Sequence, residues 1–180
     1  PVTRGMQVML LVACVLVFII GTPLTLLPTH TERYFAWTIG SALTAAFLGG
    51  AYWSSGVLEL MASREQRWAH ARIAVPAVLL FTVLTLLVTL VHIENFHFDA
   101  PAWHTVAGTW AWLVVYAVVP LIMGWLLVRQ RTLTGGDPPR TALLPTWTRG
   151  VLVTQAVVMV PIGAGLSFAP LAVAPIWPWE

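Results

Sequence analysis

The stretch His92-Ile93-Glu94-Asn95-Phe96-His97-Phe98-Asp99 puts four side chains able to bind a metal within eight residues. Imidazole with carboxylate suits zinc, copper, iron or manganese. His30, Glu32 and His104 fall at the ends of neighbouring apolar runs. His30, Glu32, His92, Glu94, His97, Asp99 and His104 therefore make one candidate transition-metal set. Haem is a second candidate, with His92 and His104 as axial ligands, although no histidine lies deep in an apolar run to shield it. The plain alternative is that these polar groups occupy a water interface because short loops leave them few other places. Neither His-Glu-x-x-His nor a pair of cysteines is present, so no catalogued ligand spacing occurs.

Thr82, Thr85, Thr89 and His92 recur at intervals of three and four, which places them on one helical face. Such a stripe can line a path for a small solute or a proton. It can equally hydrogen-bond the carbonyl one turn back or an adjacent helix. Glu59, near the inner end of the second apolar run, is the one carboxylate at membrane depth. It can pair with Arg64 or Arg67 by snorkelling, or couple to protons. No serine, cysteine or threonine stands with a base and an orienting group, and His70 among Arg64, Arg67 and Arg72 lacks a nucleophile, so the sequence offers no catalytic residues.

The pattern His-x-Glu-x-aromatic occurs twice, as His30-Thr31-Glu32-Arg33-Tyr34 and His92-Ile93-Glu94-Asn95-Phe96, each after an apolar run. Read as a repeat, it makes the first four helices two parallel hairpins and brings both motifs to one depth.

These residues must be held by something, and composition says what. The 180 residues are 58% hydrophobic and 9% charged, with a mean hydropathy of +0.83. A water-soluble domain is about half apolar and a quarter charged, so lipid is the expected solvent. Five runs are predicted as transmembrane helices: 6–27, 35–61, 73–92, 106–128 and 150–169. They lack the period of two that a β-barrel needs. The fold expected is an all-α, polytopic transmembrane helix bundle forming a single domain over 1–180. The first run exceeds a signal-peptide core and is read as a retained span.

All nine basic residues are arginines. Arg4, Arg64, Arg67, Arg72, Arg129, Arg131, Arg140 and Arg149 fall on one side of the five-span scheme and only Arg33 on the other. Cytoplasmic loops retain positive charge, so the amino terminus is expected inside and the carboxyl terminus outside. A net charge of +2 and a pI near 9.3 do not imply nucleic acid, because the cations sit beside apolar runs rather than on one face. Trp37, Trp68, Trp103, Trp147, Trp177 and Trp179 lie near span ends, where indole partitions well.

In the second run Ser41, Ala45 and Gly49, with Gly50 beside them, allow another helix to approach, at the centre of the bundle or at a subunit contact. Pro120, and Pro161 with Gly163 and Gly165, should bend the later helices. Gly135-Gly136-Asp137-Pro138-Pro139 reads as a flexible connector without a phosphate-binding motif.

The segments Thr31-Glu32-Arg33-Tyr34-Phe35-Ala36-Trp37-Thr38-Ile39 and Leu43 to Gly49, with Trp177-Pro178-Trp179, resemble a family of uncharacterised multi-spanning bacterial membrane proteins. The resemblance covers most of the chain and implies a bacterial cytoplasmic-membrane location, but no activity, cofactor or site residue. The functional expectation is a non-catalytic subunit or scaffold of a larger bacterial membrane complex. Its partners would be the lipid bilayer and other membrane subunits, and not nucleic acid. The alternatives are a metal- or haem-binding membrane protein using the outer histidines and carboxylates, and a small-solute or proton transporter using the threonine stripe.

Overall fold

A computed structural model describes residues 1–133, 144–173 and 175. The proposed connector at Gly135–Pro139, Arg140 and the terminal Trp-Pro-Trp lie outside the described residues. The chain divides into two compact units, residues 1–137 and 138–180. The first contains helices α1 (Arg4–Leu26), α2 (Thr31–Tyr34), α3 (Ala42–Arg64), α4 (Trp68–Ala71), α5 (Ala74–Val91) and α6 (Trp103–Arg131). The second contains α7 (Thr146–Phe168) and α8 (Pro170–Val173). Among the described residues the fold is all-α, with one isolated bridge between Trp37 and Phe96.

Among the described residues four segments are long and apolar enough to cross a membrane: Arg4–Leu26, Trp68–Val91, Trp103–Arg131 and Thr146–Phe168. They correspond to the first, third, fourth and fifth predicted spans. The second differs. α3 has 23 residues, about 35 Å of helix, but Tyr52, Ser54, Ser55 and Glu59 dilute its apolar character. It also begins at Ala42, seven residues later than the hydropathy pattern predicts. The side chain of Ser41 caps it by accepting the Thr44 N–H at 3.4 Å. Phe35 is extended, and the Ile39 N–H goes to Thr31 Oγ1 at 2.9 Å rather than into a helix. Continuous apolarity concealed this change of backbone.

The first unit is organised inside out. Its outward positions include Leu80, Leu84, Leu87, Leu90 and Leu121, whereas Glu59, Thr82, Thr89, Thr105, Thr109 and Gln130 are buried. Water would reverse that arrangement, and lipid accounts for it.

α3 docks most extensively on α1. Its buried positions Ala45, Gly49, Tyr52, Gly56 and Glu59 recur at four and three residues, the spacing that keeps one seam against a partner. Small residues set the approach. A Cβ on Gly49 would lie 2.9 Å from the Gly21 carbonyl oxygen and 2.8 Å from the Thr25 nitrogen, while one on Gly50 would meet nothing within 4 Å. Ala45 and Gly49 thus belong to an internal contact, Gly50 faces away, and Ser41 serves as a cap.

Two core clusters fill the unit. One, at the arginine-rich end, contains Met6, Leu10, Ala71, Val75 and Met123. Here buried Gln130 accepts from the Thr3 N–H at 2.8 Å and donates to the Pro1 carbonyl at 2.7 Å. Val2 N–H donates to Gln66 O at 3.0 Å, and Gln7 Nε2 to Glu65 O at 2.9 Å. The ends of α1, α3 and α6 that carry Arg4, Arg64 and Arg129 therefore meet. The other cluster contains Leu24, Phe35, Ala45, Tyr52, Trp112 and Tyr116.

Gly49→Val places side-chain atoms against backbone that cannot yield, and should destabilise the unit by about 1–3 kcal/mol. Gly50→Val should leave it within about 0.5 kcal/mol. Detergent unfolding followed by circular dichroism compares the two.

Candidate functional site

The second cluster is capped by the segment 31–41, which is threaded between helix ends and held by hydrogen bonds. Tyr34 Oη donates to the carbonyls of Pro23 and Leu27, at 2.9 and 3.0 Å. Burial, and secondarily the charge of Glu32, raise its phenol above the ordinary tyrosine range, which keeps it a donor. From α6, Thr105 Oγ1 donates to the Arg33 carbonyl and Thr109 Oγ1 to the Ala36 carbonyl. These hydroxyls satisfy main chain that has left a helix, which an apolar surrounding cannot do.

His97 completes the cap. Its backbone N–H donates to Ala36 O at 2.9 Å. Its Nδ1 lies 3.1 Å from the Phe35 carbonyl and its Nε2 3.0 Å from Thr38 Oγ1. A carbonyl can only accept, so the neutral ring carries its proton on Nδ1 and takes the Thr38 hydroxyl proton at Nε2. Both nitrogens are thereby occupied by structural bonds.

Below the cap lies an aromatic group. Trp37 stacks obliquely on Phe96 at 5.2 Å and meets Trp112 edge-on at 4.9 Å. Trp112 lies 4.4 Å from Tyr116. Its indole N–H donates to Thr89 Oγ1 at 3.1 Å, and Tyr116 shares a 2.8 Å hydrogen bond with Tyr52. Against this group opens a cavity of about 560 Å³. Trp37, Phe81, Leu84, Val88 and Trp112 form its apolar walls, and Thr38, Thr85, Thr89, His92 and Asn95 supply its polar groups.

The predicted threonine stripe thus divides. Thr82 bonds back to the Leu79 carbonyl at 2.9 Å and Thr89 receives Trp112, both packing roles. Thr85, Thr89 and His92 border the cavity.

The seven predicted metal-site residues do not come together as one set. His30 bonds Thr29 at 2.9 Å. Glu32 lies 3.4 Å from Arg33, and Glu94 3.9 Å from His92 and 3.1 Å from Asn95. His97 is in the cap, His104 lies edge-on to Trp103, and Asp99 is exposed. Among the described residues no three histidine, cysteine or acidic side chains converge as a metal would require. The repeated motif is not matched in structure either. The helix-ending residue before the 3-10 turn Pro28–His30 is Leu27, whereas the one before Ile93–Asn95 is His92. The two copies are therefore out of step by three residues.

The sequence reading missed Trp112, Tyr116, Tyr52 and Phe81. A signal was available: Thr105, Thr109, Trp112 and Tyr116 recur at four and three residues on α6, marking a buried face with polar handles. No family model matches the chain, and no curated protein or solved structure matches it.

His97→Ala removes a donor from a main-chain carbonyl and frees Thr38. It should raise amide hydrogen exchange across residues 35–41 by an amount equivalent to about 1–3 kcal/mol, while exchange in α1 and α3 stays near wild type. Mass-spectrometric exchange in detergent reads both regions at once.

Proposed function

We propose that this chain is a five-span protein of a bacterial cytoplasmic membrane that binds a small neutral amphiphile, without transforming it, in the cavity beneath the 31–41 cap. In this reading α3 is the second span, although its composition alone does not qualify it. Its 23 residues and its packing along α1 support that place. The amino terminus is cytoplasmic and the carboxyl terminus external. The meeting of the helix ends bearing Arg4, Arg64 and Arg129 supports this orientation.

The observation that carries the proposal is the cavity. Its volume of about 560 Å³ falls within the range of ligand sites, about 300–1,000 Å³. Its lining includes two tryptophans and two phenylalanines but no acidic side chain, lysine or arginine. A charged ligand would lack a counter-ion there, whereas an apolar ring or chain would fit between Trp37, Phe81 and Trp112. His92 and Asn95 would receive a hydrogen-bonding head. The threonine hydroxyls of the lining, Thr38, Thr85 and Thr89, would serve the same ligand as further hydrogen-bonding groups. The chain would act as a non-catalytic membrane component, with lipid and other membrane subunits as its neighbours.

A naphthoquinone with a short alkyl tail is a suitable probe, since it is neutral, amphiphilic and quenches tryptophan emission. In lipid nanodiscs it should quench saturably. Val88→Phe, which fills the cavity, should weaken binding at least about tenfold, or about 1.4 kcal/mol. Quenching that rises linearly with probe, or is identical in the variant, would dispose of the site.

The orientation has its own check. With Cys14 replaced by alanine, Asp99→Cys should react with an impermeant maleimide on intact cells, and Arg67→Cys only after lysis. The reverse pattern would invert the scheme.

A further inference from the structure

Glu59 takes no part in the outer cavity, and its surroundings pose a separate problem of charge. It stands on α3 five residues before Arg64, about 7 Å along the axis, yet it pairs with neither Arg64 nor Arg67. The residue is 2% exposed. Its Oε1 accepts from Ser55 Oγ at 3.1 Å, and its buried Oε2 has no hydrogen-bond partner. Glu59 borders a void of about 30 Å³ shared with Ala13 of α1, Val78 and Thr82 of α5, and Tyr116 of α6. That is room for one or two water molecules.

The groups facing it are few. α1 brings the Cys14 thiol and α6 the Tyr116 phenol, both within electrostatic reach of Glu59. α5 brings Thr82, whose hydroxyl proton is committed to Leu79 and whose oxygen can still accept. On α3 itself, Tyr52 is paired with Tyr116, and Arg64 is within electrostatic reach of the Cys14 thiol. An ionised carboxylate with one bare oxygen in such surroundings is heavily penalised, whereas a carboxylic acid is not. As an acid, Oε2 turns from an orphan acceptor into a donor that needs an acceptor within the void.

We propose that Glu59 is a proton-binding site of the membrane interior, donating from Oε2 to a water held in the void against Tyr116 and Thr82. Exchange proceeds through that water. The Oε2–H bond breaks as the water gains the proton, the carboxylate is left on Ser55, and a proton returns by the same route. Phe81 borders both this void and the outer cavity, and the route assigned to the exchanging proton runs past its ring. The proposal is independent of any occupant of that cavity.

Infrared difference spectra of the full chain in lipid, wild type minus Glu59→Gln at neutral pH, test it. A protonated-carboxyl C=O band should appear in the difference and move to lower frequency in deuterium oxide. A carboxylate signal in its place overturns the proposal, and a band that never moves overturns the exchange. Should Glu59→Gln fail to assemble, Tyr116→Phe retains the acid and should shift its band; an unshifted band removes the water relay. Phe81→Ala should hasten deuteration several-fold, and an unchanged rate rules out passage at that ring.

Discussion

The constraint on which the rest of this architecture depends is that polar groups must find their partners inside the protein. The outward surface of the first unit is lined with leucine, valine, isoleucine and phenylalanine, so nothing outside offers a hydrogen bond at that level. Helices satisfy most of the main chain by themselves. The residues that leave the helix, 35–41, are supplied with donors and acceptors from Thr31, His97 and Thr109. Buried threonines in this fold are therefore structural counterparts to irregular backbone, not a dilution of the core.

The same requirement explains why the aromatic residues collect where they do. Tryptophan and tyrosine combine a large apolar body with one polar atom, and several of these atoms meet matching groups: Trp112 with Thr89, Tyr52 with Tyr116, Tyr34 with two carbonyls. The cavity beside Trp112 opens against these anchored rings. By contrast, α1 and α3 meet through Gly21 and Gly49 with no space to spare.

The helical class and four membrane-competent segments were legible from hydropathy alone, because length and composition are local properties. The threonine stripe was legible for the same reason, since periodicity places Thr85, Thr89 and His92 on one face before any tertiary contact is known. What periodicity cannot give is the partner. Residues 35–41 read as helix because Phe35, Ala36, Trp37 and Ile39 are apolar, yet bonds to Thr31 and His97, the latter some sixty residues away in sequence, hold them extended. Glu59 read as a partner of arginine because arginines follow it, whereas the helix turns its side chain toward Ser55 and away from the interface. The histidines and carboxylates near positions 30 and 92 share a sequence pattern, but their 3-10 turns carry that pattern out of step, and among the described residues no three of them converge.

Gln130 holds the backbone of residues 1 and 3 across separations of 129 and 127 residues. Closing so long a loop is entropically unfavourable until the intervening helices are already arranged. During synthesis α1 and α3 can associate as soon as both have emerged, since few residues separate them. The bonds from Gln130 have to wait for the last turn of α6. Assembly of the first unit thus has a built-in order, in which the end carrying Arg4, Arg64 and Arg129 closes last.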